Sequence, residues 1–380
     1  MKRRMVVLLV DALGWNLASA APGFAAPLEH RRKLDTVLGF SSGALPTLFT
    51  GRMPCEHGRF LMYRRRSADS PFRGFGALRA LPKRLQSSGM LSRALTRLVR
   101  RRGVRGYFNL YEVPRPILAE FDLAERADVF SPGGLPLPSL WDTLEKSGVP
   151  WAHRDWRTPE QDNLAWLERE LESTEFLFVY TADLDAQLHH EGSRGSGVRE
   201  SLSRYDAVVG RLTERAKRSG EDLWIYLLSD HGMVDVARTE DVMARLAGLA
   251  VGWPRDYVAF FDSTMARFWW RRRAARESVR AALEGAPGRW LDAGDLDREG
   301  TRFADAAYGE DLFLLDPGVL MVPSFMGTSP LAAMHGYDPS HPDMAALLWS
   351  NRPIPREVGH LRDVRGFLES ELDALTGSAA

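Results

Sequence analysis

Short, unbroken apolar runs constrain this chain more than any other feature. Met5 to Val10, Phe176 to Tyr180, Leu223 to Leu228 and Met344 to Trp349 are apolar at every position. Strands of that kind bury both faces, as parallel strands do between two layers of helices. Helical patterns separate them, at Ser139 to Lys146, Pro159 to Glu172 and Val198 to Arg218, and Leu361 to Leu375 closes the chain. That alternation predicts an α/β fold with a doubly wound, mostly parallel sheet flanked by helices. In such sheets ligands gather at the carboxyl ends of the strands.

The 380 residues leave room for insertions in that domain. From Arg59 to Arg105 there are fourteen Lys or Arg against one acid, Asp69, although the whole chain balances 50 basic against 50 acidic residues. Within that stretch Leu91, Leu95 and Leu98 share one helical face, with Arg93, Arg97, Arg100 and Arg101 around the others. The segment suits an anion-binding flap, a membrane-surface helix, a nucleic-acid patch or a solvated insertion without a partner. From Tyr257 to Met321 short strands (Ala266 to Trp270, Asp311 to Leu315) bracket a helix near Ala274 to Leu283. The expected organisation is a main domain over 1–256 with a basic insertion at about 59–130, a small inserted α+β cap over 257–321, and completion of the main domain over 322–380.

Cys55 is the only cysteine, which excludes an intrachain disulfide framework and a Cys-rich zinc site. The apolar run at the start is short and ends in Asp11 without a small-residue cleavage site, so it reads as a strand rather than a signal peptide. No segment approaches the ~20 apolar residues that span a bilayer. The expected location is the cytoplasm.

Acids and histidines recur just beyond the strands: Asp11, Asp185 with His189, Asp230 with His231, and His335. Asp185 and His189 are four apart and share a face of one helical turn. Each alone could be a turn or cap residue, and Asp-His-Gly could be a tight turn with glycine at positive φ. Together, Asp and His without cysteine suit zinc and also accept manganese or iron. Six ligands are too many for one tetrahedral ion and divide into two sets of three, enough for two ions that clamp a transferring phosphoryl group. Gly39-Phe-Ser-Ser-Gly43 opens a short apolar helix that stops at Gly51. A serine there is either an N-cap or a nucleophile placed beside helix amides that attract anions.

The ordered set resembles the alkaline phosphatase superfamily, in its type I phosphodiesterase/nucleotide pyrophosphatase branch. The resemblance rests on Val7-Leu-Leu-Val-Asp-Ala-Leu-Gly14, on Ser41 with Pro46-Thr-Leu-Phe-Thr-Gly-Arg-Met-Pro-Cys-Glu-His-Gly58, and on Tyr180 with Asp185-Ala-Gln-Leu-His-His-Glu-Gly192. Leu228-Ser-Asp-His-Gly-Met233 and His335-Gly-Tyr-Asp338 complete it. It implies that Asp11, Asp230 and His231 hold one metal, which also touches Ser41, and that Asp185, His189 and His335 hold a second. Ser41 becomes the nucleophile, nine residues before Thr50, with Ser42 as fallback and His57 structural. The implied activity is metal-dependent hydrolysis of phosphodiesters or nucleotide pyrophosphates through a phosphoseryl intermediate, with a small anionic ester as substrate. A phosphomonoesterase or phosphonate hydrolase on the same scaffold, and a non-catalytic anion-binding module, are the alternatives. Gly43 and Leu45 stand where sulfatases of the superfamily carry Pro and Arg. The phosphate-contacting Asn of nucleotide pyrophosphatases is replaced near Leu61 and Met62, leaving Tyr63, Arg64 or Arg65 as substitutes. Arginines of 59–105 are expected to cap the site or to meet an anionic surface.

Overall fold

The computed structural model describes residues 3–377, so Met1 and Lys2, at the head of the segment weighed as a signal peptide, lie outside the described residues. The central sheet has six strands in the order His30–Leu34, Ala346–Ser350, Asp222–Leu228, Arg3–Val10, Phe176–Thr181 and Trp151–Arg154. The first strand lies in its interior, parallel to Asp222–Leu228 on one side and Phe176–Thr181 on the other. Ala346–Ser350 runs against its two neighbours, so the sheet is mostly parallel.

Alternation along Arg3–Val10 explains the two helix layers. Met5, Val7 and Leu9 enter one core, formed with helices Ser41–Thr50, Leu140–Ser147 and Leu361–Thr376. Val6, Leu8 and Val10 enter the other, formed with Glu160–Glu170 and Ser196–Ser219. Each such side chain contributes roughly 1.5–3 kcal/mol by leaving water, and a polar residue at Val7 would open the first of these layers.

Residues 59–130 and 257–321, expected as separate insertions, pack against each other. The later segment holds an antiparallel sheet ordered Tyr257–Phe261, Met265–Trp270, Asp311–Leu315, Gly288–Trp290, with helix Arg273–Ala282 beside it. Tyr63 stacks on Phe260 at 4.8 Å, and Phe121 meets Phe260 at 5.0 Å and Trp269 at 5.8 Å. Arg267, fully buried, donates to the Tyr63 carbonyl at 2.7 Å and to Asp262 at 2.7 Å. Their joint apolar core also takes in Leu95 and Val99 of helix Gly89–Arg101. The buried stripe of that helix is therefore Leu95 and Val99, while Leu98, which shares a helical face with Leu91 and Leu95 in the sequence, is exposed. Among the described residues no helix is long and apolar enough to cross a membrane.

Candidate active site

Each side chain expected at the site leaves an element just where the sheet ends. Asp11 follows the first strand, and its N–H still bonds the Thr181 carbonyl at 2.9 Å. Ala12 then takes a left-handed backbone (φ 60°), which turns its N–H onto Asp230 Oδ1 at 3.3 Å. The strand Asp222–Leu228 delivers Asp230 and His231, and Thr36 Oγ1 pins the Asp230 carbonyl at 2.7 Å. Gly232 is not in the left-handed region; it is required because a Cβ there would lie 2.0 Å from the Asp343 carbonyl oxygen. Helix Asp183–Glu191 carries Asp185 and His189 on one face. His335 follows the short strand Ala333–Met334, and Phe40 packs edge-on against its ring at 5.2 Å. Gly336, at φ 86°, leaves space for that ring. Ser41 is the first residue of helix Ser41–Thr50, while Phe40 occupies the cap position, so the N-cap reading of Ser41 is replaced.

These side chains converge in two trios, Asp11 with Asp230 and His231, and Asp185 with His189 and His335. His231 Nε2 lies 3.3 Å from Asp11 Oδ1 and 3.4 Å from Asp230 Oδ2. His189 Nε2 and His335 Nε2 lie 3.4 and 3.6 Å from Asp185 Oδ1. The trios adjoin, because the His231 and His335 rings stack with centroids 4.0 Å apart. Ser41 Oγ is 3.0 Å from His231 Nε2. Ser42 Oγ instead donates to the Phe60 carbonyl at 3.3 Å.

Charge makes this arrangement costly without a partner. Burial, reinforced by Asp230 and Asp185, raises the Asp11 pKa well above the usual carboxylate range, although Tyr180 donates to it. Burial likewise raises Asp185. Burial, then His231 and His189, lowers His335 well below an ordinary imidazole. The His189 and His231 Nδ1 atoms donate to the carbonyls of Ala333 (2.8 Å) and Gly232 (3.0 Å), which turns both Nε2 lone pairs toward the carboxylates. Asp11 Oδ1, Asp230 Oδ2 and Asp185 Oδ1 are buried without a hydrogen-bond partner. Carboxylate oxygens without a hydrogen-bond partner that face imidazole nitrogens fit a cation in each trio, and oriented imidazoles are the usual support of such sites. Carboxylate and imidazole donors without thiolate suit zinc, manganese or iron.

A cavity of about 430 Å³ opens beside the trios. Phe40, Tyr107, Tyr111, Phe130, Trp156 and Tyr180 supply aromatic wall, joined by Met62, Met326 and Leu331. The sequence reading missed most of this wall. Its nearest signals were the Tyr107/Tyr111 pair at i, i+4 after the basic helix and Trp156 between Asp155 and Arg157. No Lys or Arg of 59–105 lines the cavity, so the expected arginine cap over the site is not there. The expected replacements for the phosphate-contacting Asn are committed elsewhere: Tyr63 to the Asn109 carbonyl, Arg64 to Asp122, Arg65 to Glu120. Met62 faces the cavity in their stead. Among the described residues Arg157 is the one basic residue lining it besides the histidines, and Asp128 (2.7 Å) and Asp155 (2.8 Å) hold it. His57 is buried away from the trios, 3.0 Å from Thr47 Oγ1.

Residues 5–286 match the family model described as type I phosphodiesterase/nucleotide pyrophosphatase. No curated protein matches by sequence. Among solved structures, murine ectonucleotide pyrophosphatase/phosphodiesterase 5 superposes with TM-score 0.66 at 15% identity, covering 98% of this chain and 95% of that one. The human protein of the same name gives 0.66 at 14% identity with the same coverage. An inactive variant of the murine protein in complex with AMP gives 0.65 at 15%, again over 98% and 95% of the two chains. These likenesses establish an alkaline phosphatase-like α/β fold. The chain belongs to the type I phosphodiesterase/nucleotide pyrophosphatase family and is a phosphoric ester hydrolase.

Proposed function

We propose that this enzyme is a two-metal phosphodiesterase or nucleotide pyrophosphatase in which Ser41 is the nucleophile. The observation that carries the reading is the pair of trios whose buried, unpartnered carboxylate oxygens face imidazole nitrogens beside the Ser41 hydroxyl. Asp11, Asp230 and His231 would hold one cation and Asp185, His189 and His335 the other. When bound, such ions balance the carboxylates and acidify the hydroxyl and the water that must react. Ser41 Oγ forms the new P–O bond as the alcohol leaves in line, giving a phosphoserine that water then cleaves to restore the hydroxyl. Helix Ser41–Thr50 contributes its first amides, Ser41 and Ser42, which have no acceptor within the helix and would attract an anion, whereas the Gly43 N–H already bonds the Phe40 carbonyl at 2.8 Å.

The walls support a diester over a monoester. A terminal phosphate dianion calls for an additional cation, and Arg157 is already balanced by two aspartates. A diester has one negative charge and a second organic group, for which the aromatic wall offers a face. The murine relative's inactive variant was solved with AMP, and a flat base is a group such a wall would stack against. The test compares bis(p-nitrophenyl) phosphate with p-nitrophenyl phosphate after zinc or manganese loading. Faster diester turnover supports the reading; faster monoester turnover transfers it to the phosphomonoesterase alternative.

A further inference from the structure

The helix Gly89–Arg101 and the turn before it form a surface that the catalytic site does not use. Leu95 and Val99 anchor the helix, which turns Met90, Arg93, Arg97 and Arg101 outward. Lys83 and Arg84 of the preceding helix Lys83–Gln86 are exposed as well, and no acid occurs between Asp69 and Glu112. Many arginines elsewhere on the surface have acidic partners, as Arg273 has Glu277, Arg276 has Asp311 and Arg289 has Asp295, and the unpaired ones, such as Arg194, Arg238 and Arg356, are scattered along the chain. The side chains of Lys83, Arg84, Arg93, Arg97 and Arg101 have none among the described residues. An unpaired cluster repels itself, so it weakens the free fold unless an anionic surface meets it.

Exposed apolar side chains decide which surface. Among the described residues the large exposed hydrophobics are Leu85 (52%), Met90 (76%), Leu98, Tyr107, Trp156 and Leu331. Leu85, Met90 and Leu98 belong to the basic segment, and Tyr107, Trp156 and Leu331 line the catalytic cavity. The two groups are tied together. Arg115 Nη2 bonds Ser92 Oγ of the helix at 3.0 Å and the Tyr111 carbonyl at 2.8 Å. Arg100 Nη1 bonds the carbonyls of Val104 (3.1 Å) and Gly106 (2.7 Å), and its guanidinium covers Phe108. We propose that this face docks on a lipid bilayer rich in anionic headgroups, its arginines among the headgroups and Leu85, Met90 and Leu98 at the acyl boundary, with the cavity-lining segment tethered to the docked helix. Nucleic acid would account for the arginines but gives three exposed aliphatic side chains nothing to enter, whereas an interfacial basic helix uses both.

The metal-loaded enzyme should float with phosphatidylcholine vesicles that contain phosphatidylserine, not with phosphatidylcholine alone, and salt should release it. Neutralising Arg93, Arg97 and Arg101 together (each →Gln) should weaken binding about a hundredfold, at roughly fivefold per charge. A Leu85→Ser, Met90→Ser variant, which keeps every arginine, should weaken it about tenfold. Both should hydrolyse soluble bis(p-nitrophenyl) phosphate like the parent, a readout independent of docking. Absence of wild-type binding to the phosphatidylserine vesicles overturns the proposal. So does vesicle binding that is displaced by duplex DNA and indifferent to the Leu85/Met90 change, which would assign the face to nucleic acid.

Discussion

Replacing Ser41 by Ala separates chemistry from architecture at this site. The hydroxyl is half-buried and has one side-chain partner, His231 Nε2 at 3.0 Å. His231 keeps its neighbours at 3.3 Å (Asp11) and 3.4 Å (Asp230) and its Nδ1 bond to the Gly232 carbonyl. Loss of one hydrogen bond of this kind costs about 1 kcal/mol, so folding and metal content should persist. Loss of a covalent nucleophile costs about 10⁴–10⁶ in rate, or roughly 5–8 kcal/mol of transition-state stabilisation. The assay is steady-state hydrolysis of bis(p-nitrophenyl) phosphate, with urea unfolding and elemental analysis on the same preparations. Ser42→Ala should remain within about threefold of the parent, because its hydroxyl bonds the Phe60 carbonyl. If Ser41→Ala retains more than about 1% of the rate with full metal content, the covalent route through Ser41 is wrong.

Other expectations follow from the same geometry. Chelation should destabilise the enzyme by about 4 kcal/mol for each ion held at a thousandfold excess over its Kd, seen as a drop in Tm that zinc or manganese reverses. Gly232→Ala would place a methyl 2.0 Å from the Asp343 carbonyl; a loss of about 3 kcal/mol and of bound metal is expected. Trp156→Ala should raise KM for aromatic diesters about tenfold with little change in kcat, since the ring lines the cavity and belongs to neither trio. Burial, then Arg59, pushes the His57 pKa from 6.5 down to about 3. A folded value below the unfolded one gives stability that is complete above about pH 6.5 and is lost as pH falls toward 3, at about 1.4 kcal/mol per unit. His57→Asn should flatten unfolding free energy against pH over that window, and an unchanged slope would refute the assignment.

What the sequence revealed follows the range of the physics involved. The strands Arg3–Val10, Phe176–Thr181 and Asp222–Leu228 were legible because burial on both faces leaves continuous apolar runs. His30–Leu34 (His-Arg-Arg-Lys-Leu) was not, since an edge strand carries charge and reads as loop. Asp11, Asp230 and His231 could be read together only as an ordered set, because each alone is an ordinary turn residue. The union of 59–130 with 257–321 depends on contacts such as Tyr63 on Phe260. Those contacts join positions far apart in the chain and leave no local period. The aromatic wall was illegible for the same reason: Phe40, Tyr107 and Trp156 come from separate segments, and the fold alone brings them to one cavity.

The central claim is that six side chains, Asp11, Asp230, His231, Asp185, His189 and His335, hold two cations beside Ser41. An anomalous difference map from crystals of the zinc- or manganese-loaded enzyme tests it most directly. Two peaks are predicted, one within each trio and one of them adjoining the Ser41 hydroxyl. A map with no peak there, or with its peaks elsewhere on the molecule, would contradict the account.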